Sequence, residues 1–441
     1  MTVAAVAAIC LVPGVLWGKP PPRSTAGASF GPTFDRPVLP LRMCDTTMPV
    51  CVHADRAVSA DDFRRLRHAT ARAYALIVET LRLPAPLPDG PSGGDPRLDV
   101  YLTRSAKSAG GTDSSVPAAS SDPLRVGRDA LDLIADRDAA PAFLLVDVNA
   151  LREGDCALEA VLARGMVRAS AMGLDAAETN AVVDGFARYL GSLVTGCREG
   201  QRARFDELQR APFRSLVDGV AGPERLAAYL DTERGLGFGA IVPGLLSMSV
   251  QHRGVVIPVE DDDLGPVHLH NDPSVFDVLS ATLSDQGSSL DELLLDLAVS
   301  RAFEPTAPAL EWRIPVSTVH AGSGRRLAVS RGIEPTGATF VRIDLDETVK
   351  EGGIELDLKW EQGARFRFTV LKLDAQGRRV GEVTVAPLDR EREVTVEVRK
   401  LEGVAGILLV GINGGDPIKT WHADDPGLPA HGYEIGVYRG S

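Results

Sequence analysis

The stretch that most constrains this chain runs from Cys156 to Cys197, where two helical patterns follow each other across a short turn. In the first, Leu158, Val161, Leu162, Gly165 and Ala169 recur at three- and four-residue spacing. In the second, Val182, Val183, Phe186, Tyr189, Leu190 and Leu193 do the same. Met172-Gly173 is expected to close the first helix and Asp175 to cap the second. Helices joined this closely pack as an antiparallel hairpin, so the start of one lies beside the end of the other. At a rise of ~1.5 Å per residue, Arg168 stands ~18 Å from the Cys156 end and Asp184 ~19.5 Å from the Cys197 end. The two are level, and so are the cysteines.

Five cysteines occur in all: Cys10, Cys44, Cys51, Cys156 and Cys197. Cys10 lies in an apolar run, Thr2 to Trp17, that carries no charge before Lys19. The run is short for a membrane span, and it sits where a secretory signal does, although the basic n-region is missing. Ala26-Gly27-Ala28 offers a small-x-small cleavage site, so residues 1–28 are expected to be a signal peptide or an N-terminal anchor. The remaining four cysteines form an even set, consistent with two disulfides in an oxidising compartment, secreted or periplasmic. Three pairings are open. Cys44–Cys51, closing a short local loop, and Cys156–Cys197, joining the level helix ends, are favoured. Metal binding by these cysteines is the rival reading, and no C-x-x-C spacing supports it.

With 441 residues and a net charge of −13, the chain has room for two or three domains and lacks the basic footprint of a nucleic-acid or anionic-membrane binder. Residues 29–60 read as a Pro/Gly-rich leader holding the short disulfide loop. A helix is expected from Asp61 to Leu83, burying Phe63, Leu66, Thr70, Ala73, Tyr74, Ile77, Val78 and Leu81, and ended by Pro84. Leu98 to Leu102 and Phe143 to Asp147 read as strands, and Ser105 to Ser121 as a small-residue loop. Further helical patterns cover Phe205 to Leu230, Gly239 to Val250 and Leu290 to Phe303, before a linker at Glu304-Pro305-Thr306-Ala307-Pro308. Beyond it the period changes to two. Phe340–Leu345, Ile354–Trp360, Arg365–Val370 and Val394–Val398 alternate, Gly406–Val410 is continuously apolar, and Tyr433–Tyr438 closes the set. Such strands indicate a β-sandwich over residues 306–441.

The segment Cys51-Val52-His53, the loop Pro86-Leu87-Pro88-Asp89-Gly90 with Gly93-Gly94-Asp95, and the strand Leu98-Asp99-Val100-Tyr101-Leu102 resemble a family of secreted bacterial metalloproteases known chiefly from myxobacteria. The run from Ser280 to Leu290 resembles the closing helices of that family's peptidase domain, and the resemblance covers about residues 44–305. It implies an α+β fold: a gluzincin-like (zincin) peptidase-type domain over residues 61–305, followed by the all-β sandwich.

In active gluzincins the first helix carries H-E-x-x-H and the second E-x-x-A. Two His four apart grip zinc, the intervening Glu activates water, and an acid on the next helix completes the site. Laid on this chain, the first motif reads Arg164-Gly165-Met166-Val167-Arg168 and the second Asp184-Gly185-Phe186-Ala187. Arg fills both His positions, Gly the general-base position and Asp the third-ligand position. Arg stays protonated and cannot ligate a metal. The expectation is a secreted, catalytically inactive pseudo-peptidase without the zinc of its active relatives, binding a peptide or protein ligand or serving a structural role. Arg168, with Arg164, is expected to pair with Asp184. The alternative is an active hydrolase or metalloprotease using residues outside this motif. His268 and His270, two apart and so on one face of a strand, are its weak metal-site candidates.

Overall fold

The helix pair rests on a mixed five-stranded sheet, one of several sheets in an α+β architecture. The computed structural model describes residues 34–88, 93–103, 123–127, 139–248 with short gaps, 273–303, 332–345, 352–385, 391–415 and 430–440, together with the strand pieces 28–29, 256–257, 268–269, 317–320 and 326–328. The apolar N-terminal run, the loop 105–121 and the linker 304–308 lie outside these residues.

In chain order the first half comprises β1 (Ala28–Ser29), β2 (Leu41–Cys44), β3 (Val50–Ala54), α1 (Ala60–Tyr74), β4 (Leu98–Thr103), β5 (Leu124–Gly127), β6 (Phe143–Asp147), α2 (Asp155–Met172), α3 (Asn180–Thr195), α4 (Gln201–Arg210), α5 (Ala221–Tyr229), α6 (Ile241–Met248), β7 (Val256–Ile257), β8 (His268–Leu269), α7 (Val275–Asp285) and α8 (Leu290–Ala302). Strands pair in the order β2-β3-β4-β6-β5. The β3–β4 and β4–β6 ladders are parallel, and the edge strands β2 and β5 run antiparallel to their neighbours. Residues 41–54, read from sequence as part of a leader, therefore supply two strands of this sheet. Val50, Cys51, Val52, His53 and Ala54 are all buried.

Local chemistry sets the helix limits. Ser59 accepts the Asp62 N–H at the start of α1, with Asp61 and Asp62 in the first turn. A π-helical turn (Ala75–Thr80) carries α1 to the residues before Pro84, whose ring and missing N–H stop it. α7 and α8 each open with a capping box, Ser274 with Asp277 and Ser289 with Glu292. α3 departs from expectation. Its N-cap is Thr179; Asp175 instead ends up buried in the turn before it. The neighbouring Glu178 takes the capping load, its Oε1 accepting the Thr179 N–H and its Oε2 the Val275 N–H at the start of α7. The Glu178 carboxylate thus reaches two helix starts at once.

The second half comprises β9 (Ser317–His320), β10 (Arg326–Ala328), β11 (Ala338–Asp344), β12 (Ile354–Trp360), β13 (Phe366–Leu373), β14 (Arg379–Val385), β15 (Glu393–Val398), β16 (Gly406–Asn413) and β17 (Tyr433–Arg439). They form two sheets, β14-β13-β16-β11-β9 and β10-β17-β12-β15, packed as a sandwich. Val341, Ile343, Phe366, Phe368, Val370, Ile407 and Leu409 fill its interior with Leu356, Leu358, Ile435 and Val437 of the other sheet. The opposite face of the first sheet, Phe340, Leu371, Leu373, Leu408, Val410 and Ile412, joins the core of the helical half. Every residue of β16 is buried, which explains why that strand is apolar without alternation.

A polar clasp accompanies this contact. Asp291 of α8, 4% exposed, forms ion pairs with Arg365 at 2.8 Å and Arg367 at 3.5 Å. Asp291→Ala is expected to cost about 2 kcal/mol in urea unfolding, less than for a fully enclosed pair because both guanidiniums reach solvent. An unchanged midpoint would show that the clasp carries no net energy.

Candidate functional site

α2 and α3 approach closely because Gly191 of α3 has no side chain. A Cβ there would stand 3.2 Å from the Arg164 nitrogen and 3.3 Å from the Ala160 carbonyl oxygen of α2. The other side of α3 is held equally tightly, since a Cβ on Gly185 would meet Pro223, Glu224 and Val220 of the α5 segment at 2.6–2.7 Å. α2 is enclosed around most of its girth, with Leu158, Leu162, Ala163, Met166 and Val167 buried. Gly196, at a left-handed φ of 72°, ends α3, and Cys197 next to it is bonded to Cys156 at the head of α2. The other bridge joins Cys44 to Cys51, register partners on β2 and β3.

Inside this hairpin three guanidiniums surround one carboxylate. Arg164 Nε donates to Asp184 Oδ1 at 2.5 Å, and Arg188 Nε donates to Asp184 Oδ2 at 3.0 Å. Arg168 Nη1 lies 3.6 Å from Oδ1. Arg164 and Asp184 are 5% and 6% exposed, so the pair is shielded from water. Burial by itself would raise the Asp184 carboxyl. The fields of Arg164, Arg168 and Arg188 outweigh it and hold the group far below its ordinary value. The expected pairing is thus modified: Arg164 makes the close contact and Arg168 the longer one. Arg188 was missed, although its position four residues after Asp184 on one helical face signals it.

Gly165 points away from this cluster. A Cβ there would come within 2.8 Å of Leu144 Cδ1 and 3.3 Å of Leu124 Cδ1, so the α2 backbone lies directly on β5 and β6. The position that would carry a general base faces an apolar sheet with no space for a side chain. The residues here do not fit a zinc site: guanidinium groups bring only N–H donors, and the Asp184 carboxylate is already engaged by them. Such an arrangement fixes a carboxylate and orients two helices.

His268 begins the short strand β8, which pairs with β1 and β7. Its side chain and the whole of His270 lie outside the described residues. Among the described residues, one cluster of metal-ligand type brings together Cys44, Cys51 and Asp95, all within 4.8 Å. Its two sulfurs are bonded to each other, which removes the thiolates a metal would need.

A second polar cluster occupies the sheet face opposite the helices. His53 Nε2 and Asp99 Oδ1 are 2.9 Å apart, Tyr101 donates to Asp99 Oδ2 at 3.2 Å, and Arg36 Nη1 donates to the same oxygen at 3.1 Å. The His53 and Tyr101 rings stack at 4.5 Å, and Arg36 lies over Phe143. Burial, partly offset by Arg36, pushes the Tyr101 hydroxyl up to about 12. The sequence alone assigns His53 no partner. The signal was the i, i+2 pair Asp99 and Tyr101, which the parallel register sets beside Cys51 and His53.

No protein-family model matches this chain, and no curated protein does. Among solved structures, the chain is similar over 28% of its length to the periplasmic g-type lysozyme inhibitor PliG of Aeromonas hydrophila, at 10% identity, 96% coverage of that chain and a TM-score of 0.18. It is also similar over 27% of its length to the VP2 subviral particle of infectious bursal disease virus, at 11% identity, 36% coverage of that chain and a TM-score of 0.11. Likenesses this slight bear on neither fold nor function.

Proposed function

We propose that this chain is an extracytoplasmic, gluzincin-like pseudo-peptidase of the secreted metalloprotease type, which holds a peptide or protein without cutting it. The observation that carries the reading is the buried Arg164–Asp184 pair, ringed by Arg168 and Arg188, at the positions where the family's zinc ligands belong. A permanent cation there takes the electrostatic place of the metal and leaves nothing to activate water. The sheet beneath supports the reading as well, since its antiparallel edge strand β5 borders α2. Two disulfides favour an oxidising compartment. Among the described residues no helix is long and apolar enough to cross a membrane.

Elemental analysis of the purified chain, with a mixed peptide library incubated with and without a zinc chelator, tests this. Substoichiometric zinc and an intact library are expected. One zinc per chain with chelator-sensitive cleavage would overturn the proposal, and chelator-insensitive cleavage would move the activity to residues outside the helix pair.

A further inference from the structure

We propose that the Cys44–Cys51 bridge is a thiol–disulfide exchange site, poised to accept electrons from a dithiol reductant while Cys156–Cys197 stays closed. Two guanidiniums converge on one sulfur. Arg42 Nη2 donates to Cys51 Sγ at 3.5 Å, and Arg97 Nη1 approaches it at 4.0 Å. Both Arg side chains also reach Asp95 Oδ2, which fixes them in place and cancels part of their charge. A neutral disulfide has little use for two cations. A thiolate does, because a cation beside it lowers the thiol pKa and stabilises the reduced form.

The exposure of the two sulfurs assigns their roles. Cys51 is fully buried, whereas Cys44 lies on the partly open edge strand β2. An incoming thiolate attacks Cys44 Sγ, the Cys44–Cys51 bond breaks, and Cys51 leaves as a thiolate between Arg42 and Arg97. The second thiol of the reductant, deprotonated, then attacks its own sulfur in the mixed disulfide and releases Cys44. Two electrons pass to the protein, and the reductant leaves as a cyclic disulfide. Its two thiol protons go to solvent or to Cys44.

Accessibility alone predicts the reverse order. Cys156 is exposed at the head of α2, so an uncharged comparison would open Cys156–Cys197 first. Among the described residues no side-chain hydrogen bond reaches either sulfur of that bridge. The guanidinium pair is what separates the two.

The folded full-length chain is equilibrated in graded dithiothreitol, quenched by acid, alkylated and mapped by mass spectrometry, with circular dichroism to confirm that it stays folded. Cys44–Cys51 is expected to open at a reductant ratio about tenfold lower than Cys156–Cys197, equivalent to ~30 mV for a two-electron couple. Arg42→Gln with Arg97→Gln removes that preference, and Arg42→Lys with Arg97→Lys keeps most of it. Both Arg side chains are 42% exposed, so these variants test charge with little change to the core. If the bridges open together, or in the order of exposure, or if the Gln variant opens as readily as the parent, the proposal fails.

Discussion

Asp184→Asn is expected to destabilise the chain by about 3–5 kcal/mol, because the substitution keeps the shape of the side chain and strips the buried guanidinium cluster of the carboxylate that Arg164 and Arg188 bond directly. For a chain of 441 residues melting as one cooperative unit, at about 2.1 cal/mol/K per residue, that is a fall in Tm of roughly 3–5 °C, readable by calorimetry. The cost centres on Arg164, whose side chain is 6% exposed, against 14% for Arg168 and 20% for Arg188. Arg188→Ala should therefore cost less than Asp184→Asn. Acid titration supplies an independent check. The folded Asp184 carboxyl lies far below its ordinary value of 3.8, so its contribution is fully present above that pH. It is lost progressively as the pH falls from there through the folded value, because the unfolded chain binds the proton first. The gap in stability between parent and Asn variant should stay constant from pH 8 to 5 and narrow only below about pH 4. A variant within 1 kcal/mol of the parent at pH 7 would mean that Asp184 is not what balances these charges.

Gly165→Glu, which would place a carboxylate at the second position of Arg164-Gly165-Met166-Val167-Arg168, is expected to unfold the chain or cost more than about 4 kcal/mol. Two penalties add. A Cβ alone would press on Leu144 and Leu124, an overpacking cost of about 1–3 kcal/mol. The carboxylate beyond it would then be driven against Leu124 and Leu144, 1% and 0% exposed, in the apolar core. Gly165→Ala separates the terms, since it carries the first alone. Denaturant midpoints of the two variants measure the difference, and a Glu variant as stable as the Ala variant would show that the helix can lift off the sheet. Packing as well as residue type thus keeps a carboxylate out of this position.

The helix pair, its cysteine pairing and the level placement of Arg168 and Asp184 were legible because helical spacing and axial rise are local rules. The sandwich strands were legible for the same reason: Ile354–Trp360 alternates in burial at every residue, as a strand with one face on a core must. Rotation about the helix axes was not legible. Axial arithmetic favoured Arg168, whereas the close approach at Gly191 turns Arg164 toward α3, and only the packed pair reveals that. Among the strands that escaped, β2, β5, β9, β10 and β14 are short or polar and owe their conformation to a neighbour, whereas β3, fully buried, is hidden by the Pro/Gly-rich segment that leads into it. β14, Arg379–Val385, lies at the edge of its sheet and keeps Arg379, Val380 and Glu382 in solvent. The His53–Asp99 cluster escaped for a related reason. Its members lie 46 residues apart, and nothing in either segment names the other until the parallel ladder is formed.

Full coverage of β16 on both faces has a consequence for how this molecule can be divided. A strand whose leucines and valines alternately serve two interiors belongs to neither alone. Severed from its helical companion, the sandwich would offer water a greasy strip of Phe340, Leu371, Leu408, Val410 and Ile412, and would stick to copies of itself before meeting any ligand. The C-terminal half is accordingly no portable cassette: melting should engage both halves together, and a lineage shedding one would have to repaint the other.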